Sequence, residues 1–303
     1  MTSLARTALK WRWNKPTIKK ESNNFFVQNG RHPVVEKLST QTFIANSLHM
    51  GENDSRFQLI TGPNMAGKST FLRQNALIIL LAQIGSFVPA EQVEMQIFDR
   101  IFTRVGASDN LAAGKSTFFV EMSETARILN AATNKSFVIL DEIGRGTSTF
   151  DGISLAWAIT EFLHDNIGAK TIFATHYHEM IDCVEGLSGG KNYHVSVSQN
   201  KDEIIFLRKI IAGGVSDSFG IEVAASTGFP RSVINRSKEI LLELETNNKK
   251  DTQPNLFSQP IARSNEVEKS QKTSALEKKL ATIDVNEISP REALEVLFEL
   301  KKL

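Results

Sequence analysis

Thr61-Gly62-Pro63-Asn64-Met65-Ala66-Gly67-Lys68-Ser69-Thr70 follows a short apolar run, Phe57-Gln58-Leu59-Ile60, and precedes an apolar, helix-favouring segment over residues 71–84. The decapeptide satisfies G-x-x-x-x-G-K-[ST], and strand, glycine loop and helix come in the order that motif needs. Backbone N–H groups of such a loop and of the helix N-terminus behind it face an anion. Residues 62–70 therefore form a candidate cradle for nucleotide phosphates, and Lys68 reaches the β- and γ-phosphates. Ser69 offers its hydroxyl to Mg2+. A glycine-rich turn that matched by accident would lack this flanking order.

Downstream, Phe137-Val138-Ile139-Leu140 and Thr171-Ile172-Phe173-Ala174 are continuous apolar runs, suited to parallel strands buried on both faces. Asp141-Glu142 closes the first run at its C-terminal edge, where open α/β sheets place their ligands. Asp141 is expected in the Mg2+ shell, and Glu142 is expected to orient and polarise an attacking water. Two acids at a strand end are ordinarily just solvated; the upstream glycine loop is what favours the chemical reading, because nucleotide hydrolysis needs both parts. Thr175-His176 ends the second run on the same edge. A lone histidine is as often structural as catalytic, but at that strand end His176 becomes a candidate contact for the γ-phosphate or the water. Between the two runs, Gly144-Arg145-Gly146-Thr147-Ser148-Thr149-Phe150-Asp151-Gly152 is too glycine-rich and polar for a core element.

Composition narrows the class without deciding it. The chain has 303 residues, 41% apolar and 23% charged, and a formal charge of +1, too balanced to announce a nucleic-acid surface by itself. Its one cysteine, Cys183, excludes an intramolecular disulfide framework and fits a reducing compartment. No apolar stretch approaches the roughly 18–20 residues of a membrane span, and residues 1–20 lack a secretory signal's apolar region. A cytoplasmic protein with no membrane contact is expected.

The remaining pattern predicts an α/β fold. Residues 57–176 alternate strands and helices around a mainly parallel sheet. Before them, Phe25-Phe26-Val27-Gln28 and Phe43-Ile44-Ala45-Asn46 read as short strands about an Asn29-Gly30 turn, a short N-terminal β region. His194-Val195-Ser196-Val197-Ser198 alternates and pairs with residues 203–207 as a hairpin, and residues 231–245 read as an amphipathic helix. Residues 246–274 are polar and read as a flexible linker. In the C-terminal helical tail, Ser289-Pro290-Arg291-Glu292 supplies an N-cap, an N1 proline and a capping-box glutamate, followed by a stripe of Leu294, Leu297, Phe298 and Leu300. A helix that short needs something to dock on.

The segment 61–70, Asp141-Glu142-Ile143-Gly144-Arg145-Gly146-Thr147-Ser148-Thr149 and Phe173-Ala174-Thr175-His176-Tyr177, with Gly30-Arg31-His32-Pro33-Val34-Val35-Glu36 and Phe43-Ile44-Ala45-Asn46 ahead of them, together resemble the ATPase domain of the MutS family of DNA mismatch repair proteins. The resemblance covers nearly the whole chain. It implies an ABC-type P-loop ATPase, with ATP and Mg2+ held in composite sites between two subunits. It further implies that residues 109–121, with Ser116 at their centre, form the signature loop that reaches the partner's γ-phosphate. Phe43 corresponds to the aromatic that packs on adenine, and Arg208 falls where some members carry a histidine on the other adenine face. As partners it implies a homodimer, mismatched double-stranded DNA for the intact protein and a MutL-type repair protein. Residues 231–245 and Phe219-Gly220 are expected to supply dimer contacts.

The implied division is 1–24 as the remnant of a preceding helical region, 25–245 as the ATPase domain with dimerisation helices at its end, 246–274 as linker, and 275–303 as a helical oligomerisation segment. The last resembles the tail that joins dimers into tetramers; a helix folding back on its own domain fits the same stripe. Gln253-Pro254-Asn255-Leu256-Phe257 resembles the pentapeptide with which bacterial repair proteins bind the sliding clamp, with Gln253, Leu256 and Phe257 as its anchors. A fragment or a truncated gene copy is expected, since the family's mismatch-reading, connector, lever and DNA-clamp domains have no counterpart here. Three look-alikes are set aside. Gly114-Lys115-Ser116-Thr117 has Asp109 where a second phosphate loop needs glycine. Leu187-Ser188-Gly189-Gly190 follows the Glu142 strand, whereas a transporter signature precedes it. Phe119-Val120-Glu121 carries the letters of the family's mismatch probe but sits within the signature segment. The competing reading is a non-catalytic oligomerisation and sliding-clamp-docking module left by truncation. An Smr-nuclease paralogue is not expected, since the motif from Gln253 to Phe257 and the short helical tail argue against a nuclease domain there.

Overall fold

The computed structural model describes residues 2–250 apart from 21, 52–54, 64–65, 106–115, 201–202 and 215–218. The clamp-like pentapeptide and the tail at 275–303 lie outside the described residues. The chain divides into two compact units, Met1–Leu242 and Glu243–Leu303.

In chain order the elements are α1 (Thr2–Lys10), β1 (Thr17–Ile18), β2 (Phe25–Gly30), α2 (Val35–Leu38), β3 (Asn46–Met50), β4 (Phe57–Thr61), α3 (Lys68–Gln83), β5 (Gln92–Met95), β6 (Ile101–Arg104), α4 (Thr117–Ala131), β7 (Phe137–Asp141), α5 (Thr149–Glu161), a π-helical turn (Phe162–Ile167), β8 (Lys170–Ala174), α6 (Met180–Glu185), β9 (Gly190–Asn200), β10 (Glu203–Ala212), α7 (Gly220–Ser226) and α8 (Arg231–Lys250). Six strands form one sheet in the order β10-β9-β4-β8-β7-β6. The pairings from β9 to β6 are parallel, and β10 joins β9 as the antiparallel hairpin expected from the alternation.

Every residue of β4, β7 and β8 is buried, as continuous apolar runs require when both faces of a sheet are covered. Alternation sorts their side chains between two cores. Ile60, Phe137, Ile139 and Ile172 pack with Phe71, Leu72 and Ile78 of α3. Leu59, Val138, Leu140 and Phe173 pack with Ile128 of α4, Ile159 of α5 and Met180 of α6. Phe25, Phe98 and Phe137 meet edge to face with centroids 5.4–5.6 Å apart, a geometry that aromatic quadrupoles favour.

Ahead of this core a four-stranded sheet runs β1-β5-β2-β3, and here one expectation is corrected. Asn29-Gly30 is no hairpin turn: both residues lie inside β2, at a register shift between Val27 and Gly30, with Asn29 at φ 47°. The glycine serves close approach, since a Cβ on Gly30 would stand 2.8 Å from Val27 Cγ1. The partner strand starts at Asn46, and residues 31–45 carry α2 and an irregular stretch that includes Phe43. Among the described residues no helix is long and apolar enough to cross a membrane.

Candidate functional site

The glycine loop leaves β4 and enters α3 with Gly62 at φ 130° and Gly67 at φ 107°, backbone conformations that side chains resist. Gly67 is the N-cap of α3 and supplies no side-chain acceptor, so the helix's first N–H groups stay available to an anion. Asn64 and Met65 lie outside the described residues. Lys68 is 4% exposed. Its ammonium donates to Gly62 O at 2.5 Å and Pro63 O at 3.0 Å and stands 3.5 Å from His176 Nε2. Burial pulls its pKa down to about 8, against the pull of Glu142 and Asp141.

Asp141 ends β7, and Glu142 follows at φ 60° with its N–H on Ala174 O at 2.8 Å. Burial raises the Asp141 carboxyl, opposed by a hydrogen bond from the Ser69 hydroxyl. Its Oδ1 is buried with no hydrogen-bond partner. Glu142 Oε1 lies 2.6 Å from His176 Nε2, and Oε2 lies 2.6 Å from Arg145 Nη1. Burial pushes the Glu142 carboxyl up, but the His176 hydrogen bond and Arg145 outweigh it, so it sits below the usual range. Lys68, Ser69, Asp141, Glu142 and His176 thus gather at the C-terminal edges of β4, β7 and β8, from segments up to 108 residues apart in sequence.

Phe43 lies beside this cluster. With Asn46, Gly67, Thr70, Phe71 and Arg208 it lines a cavity of about 250 Å3. Arg208, at φ 56°, sits on a β10 bulge between Phe206 and Ile210. Asn46 pins that bulge: its Nδ2 donates to Arg208 O at 2.9 Å and its Oδ1 accepts from Ile210 N at 2.8 Å. Ser116 is exposed. It is the N-cap of α4, its Oγ accepting from Phe119 N at 3.1 Å, so residues 117–121 are helix rather than loop.

Sequence reading missed four contributors: Arg145, Asn46, Glu121 and Tyr177. The Tyr177 hydroxyl donates to Gly144 O at 2.8 Å and Glu121 Oε1 accepts from Gly144 N at 2.6 Å. The i,i+3 spacing of Glu142 and Arg145 was a usable signal for the first; the others depend on tertiary approach.

A parallel sheet whose first core strand runs through a glycine loop into a helix, with paired carboxylates on the end of the strand next but one, defines a P-loop nucleotide-binding architecture. A family model for MutS domain V matches residues 58–245, and one for the DNA mismatch repair protein MutS C-terminal region matches residues 269–303. The chain belongs to the MutS family and spans its C-terminal region. It is 50% identical over 309 residues to a DNA mismatch repair protein MutS of Thermodesulfovibrio yellowstonii, covering all of this chain and 35% of that protein. Over 309 residues it is 47% identical to the MutS of Acetivibrio thermocellus, with the same coverage. Against the MutS of Clostridium tetani it is 55% identical over 250 residues, 82% of this chain and 28% of the relative. The chain therefore spans about a third of the length of these relatives.

Proposed function

We propose that this chain binds and hydrolyses ATP in a site completed by a second copy, and that the cycle acts as a dimer switch. The observation that carries this reading is the convergence of Lys68, Ser69, Asp141, Glu142 and His176 on one sheet edge. Residues 25–245 are taken as the ATPase domain, 246–274 as linker, its start still helical as the end of α8, and 275–303 as an oligomerisation segment, after residues 1–24.

Lys68 rests on the carbonyls of its own loop and is free to exchange them for the β- and γ-phosphates. Glu142, held ionised by His176 and Arg145, is suited to draw a proton from an attacking water, and His176 steadies the charge it carries. The cation fits the donors present. Asp141 has a buried oxygen without a partner, Ser69 stands against the same carboxylate, and among the described residues no group of three or more His, Cys, Asp or Glu could hold a metal alone. That donor set suits Mg2+, which keeps waters and relies on substrate phosphates. When bound, Mg2+ supplies neutralisation of charge on the phosphate oxygens. Phe43 and Arg208 are assigned to the two faces of the base, and Ser116 to the γ-phosphate bound by the partner copy.

The exposed apolar residues Phe119 and Phe150 near that face, and Val233 and Leu241 on α8, favour a second copy as partner. In the longer relatives, named for DNA mismatch repair, the switch is proposed to govern a clamp on mismatched double-stranded DNA and to signal to a MutL-type protein. A tail-joined tetramer and a sliding-clamp contact through Gln253, Leu256 and Phe257 complete the proposal. Steady-state ATPase measured across a dilution series tests it: turnover per protomer falls steeply on dilution and vanishes in Glu142→Ala. A rate flat with concentration excludes the shared site.

A further inference from the structure

Glu121 lies five residues into the helix that Ser116 caps, yet its side chain is buried against another element. Oε1 accepts the Gly144 N–H at 2.6 Å, and Oε2 lies 3.2 Å from Arg104 Nη2. Arg104 closes β6, is itself buried, and donates from Nη1 to Val105 O at 2.7 Å. The Gly144 carbonyl is held from the other side by the Tyr177 hydroxyl at 2.8 Å. One residue, two past Glu142, is thus gripped by α4 at its N–H and at its carbonyl by the residue after His176. Gly144 has no slack: at φ 91°, a Cβ there would stand 2.7 Å from Gly152 O. Glu121 also shares a cavity of about 270 Å3 with Asp141, Glu142 and Arg145.

A buried carboxylate is a poor choice for packing alone, since its desolvation is at best repaid by its partners. What a carboxylate adds here is a strong, short acceptor for one backbone N–H. Glu142 itself sits at φ 60°, a conformation a non-glycine residue keeps only when its surroundings enforce it.

We propose that Glu121 is a positioning residue that couples the two sites of a dimer. Seating Ser116 on the partner's nucleotide shifts the first turns of α4, and through Glu121 and Gly144 that shift sets the Glu142 carboxylate of the same protomer. Each copy hydrolyses its own nucleotide only once it has capped its mate's. This inference rests on the composite-ATPase reading above.

The test uses the full chain, with turnover, ATP affinity and thermal melting measured for wild type, Glu121→Ala, Glu121→Gln and the double variant Glu121→Met with Arg104→Met. The double variant removes the ion pair together, so no lone buried charge unfolds the protein. Alanine and the double variant lose about 10- to 100-fold in turnover with ATP affinity within about twofold, the size expected when a reacting group is misplaced by about 1 Å. Glutamine keeps an acceptor for Gly144 and recovers most of the turnover. A folded double variant with wild-type turnover overturns the proposal, as does affinity falling in step with turnover, or glutamine as slow as alanine.

Coupling itself is read from an equal mixture of Ser116→Ala and Glu142→Ala protomers, in which mixed dimers keep one complete site. Independent sites give about a quarter of wild-type turnover, whereas coupled sites give less than about a tenth of it. The former result overturns the coupling and leaves the ATPase reading standing. A wild type without turnover sinks that reading, and the coupling with it.

Discussion

On the proposed function, the phosphate end and the base end of the site are built by different means. At the phosphate end, Asp141, Glu142 and His176 issue from neighbouring parallel strands and Lys68 opens the helix that follows a third, with a register, Ile60 opposite Ala174 and Asp141 opposite Ala174, that fixes the spacing of the strand ends. Each strand is buried along its length, so these groups stand on the least deformable part of the molecule. At the base end no strand edge takes part. Phe43 lies in an irregular stretch and Arg208 on a bulge, and one buried side chain, Asn46, stitches the β10 bulge to the start of β3. If the proposed ATPase reading holds, this difference puts bond-breaking at the rigid edge and leaves the base to side chains that can be exchanged at modest loss.

The sharpest way to break that division is Glu142→Gln. Loss of the base should lower turnover by about 10²–10⁴-fold while ATP affinity, read by fluorescence titration, stays near wild type. Should affinity collapse instead, Glu142 is structural and the phosphate end is less rigid than its strands imply. Phe43→Ala comes next. Removing one stacking face should weaken ATP by about 10- to 30-fold, as for other base–aromatic stacks. Binding of inorganic triphosphate, which has no base, should not change. Equal weakening of both ligands would mean that the two ends are one unit.

A third prediction concerns protons. Burial holds Lys68 to about 8 when its loop carbonyls are its partners. Phosphate oxygens favour the charged amine, so binding takes up a proton wherever the free lysine has lost one. Below pH 8 the ammonium is already present and affinity is flat. As pH rises through 8, affinity is lost, by about tenfold near pH 9. Calorimetry in buffers of different ionisation enthalpy detects the uptake directly, and Lys68→Met should abolish it. An affinity that rises over that range would contradict the buried-lysine geometry.

How legible each end was follows from the same contrast. The glycine loop, the Asp141-Glu142 strand end and His176 were readable because local order, apolar runs and strand edges fix them within a few residues of their motif. The all-buried β4, β7 and β8 were readable for that reason too. Asn29-Gly30 misled, because a dipeptide suited to a hairpin turn was used for a bulge whose need arises from Val27 in the same strand and Asn46 across the sheet. Glu121 reads as the last letter of a false motif; its value depends on meeting Gly144, 23 residues away, which no spacing rule announces. Asn46 reads in the sequence only as part of a strand, although its bonds reach 162 and 164 residues along the chain.

Arg208 carries the smallest predicted effect and the finest test of the comparison. Its φ of 56° and the Asn46 clamp hold its backbone above Gly67, where a glycine Cβ would be 4.0 Å from the Arg208 Cβ. Two roles fit that placement: a guanidinium plane stacked on the base, or a positive charge toward the phosphates. A stacked cation at an exposed site is worth about 0.5–1 kcal/mol, so Arg208→Ala should weaken ATP by about two- to fivefold. Arg208→His, which restores a flat ring, should recover that loss, and Arg208→Lys, which keeps charge without a plane, should not. If lysine rescues and histidine fails, or if inorganic triphosphate weakens as much as ATP, Arg208 belongs to the phosphate end. The base would then be gripped on one face alone.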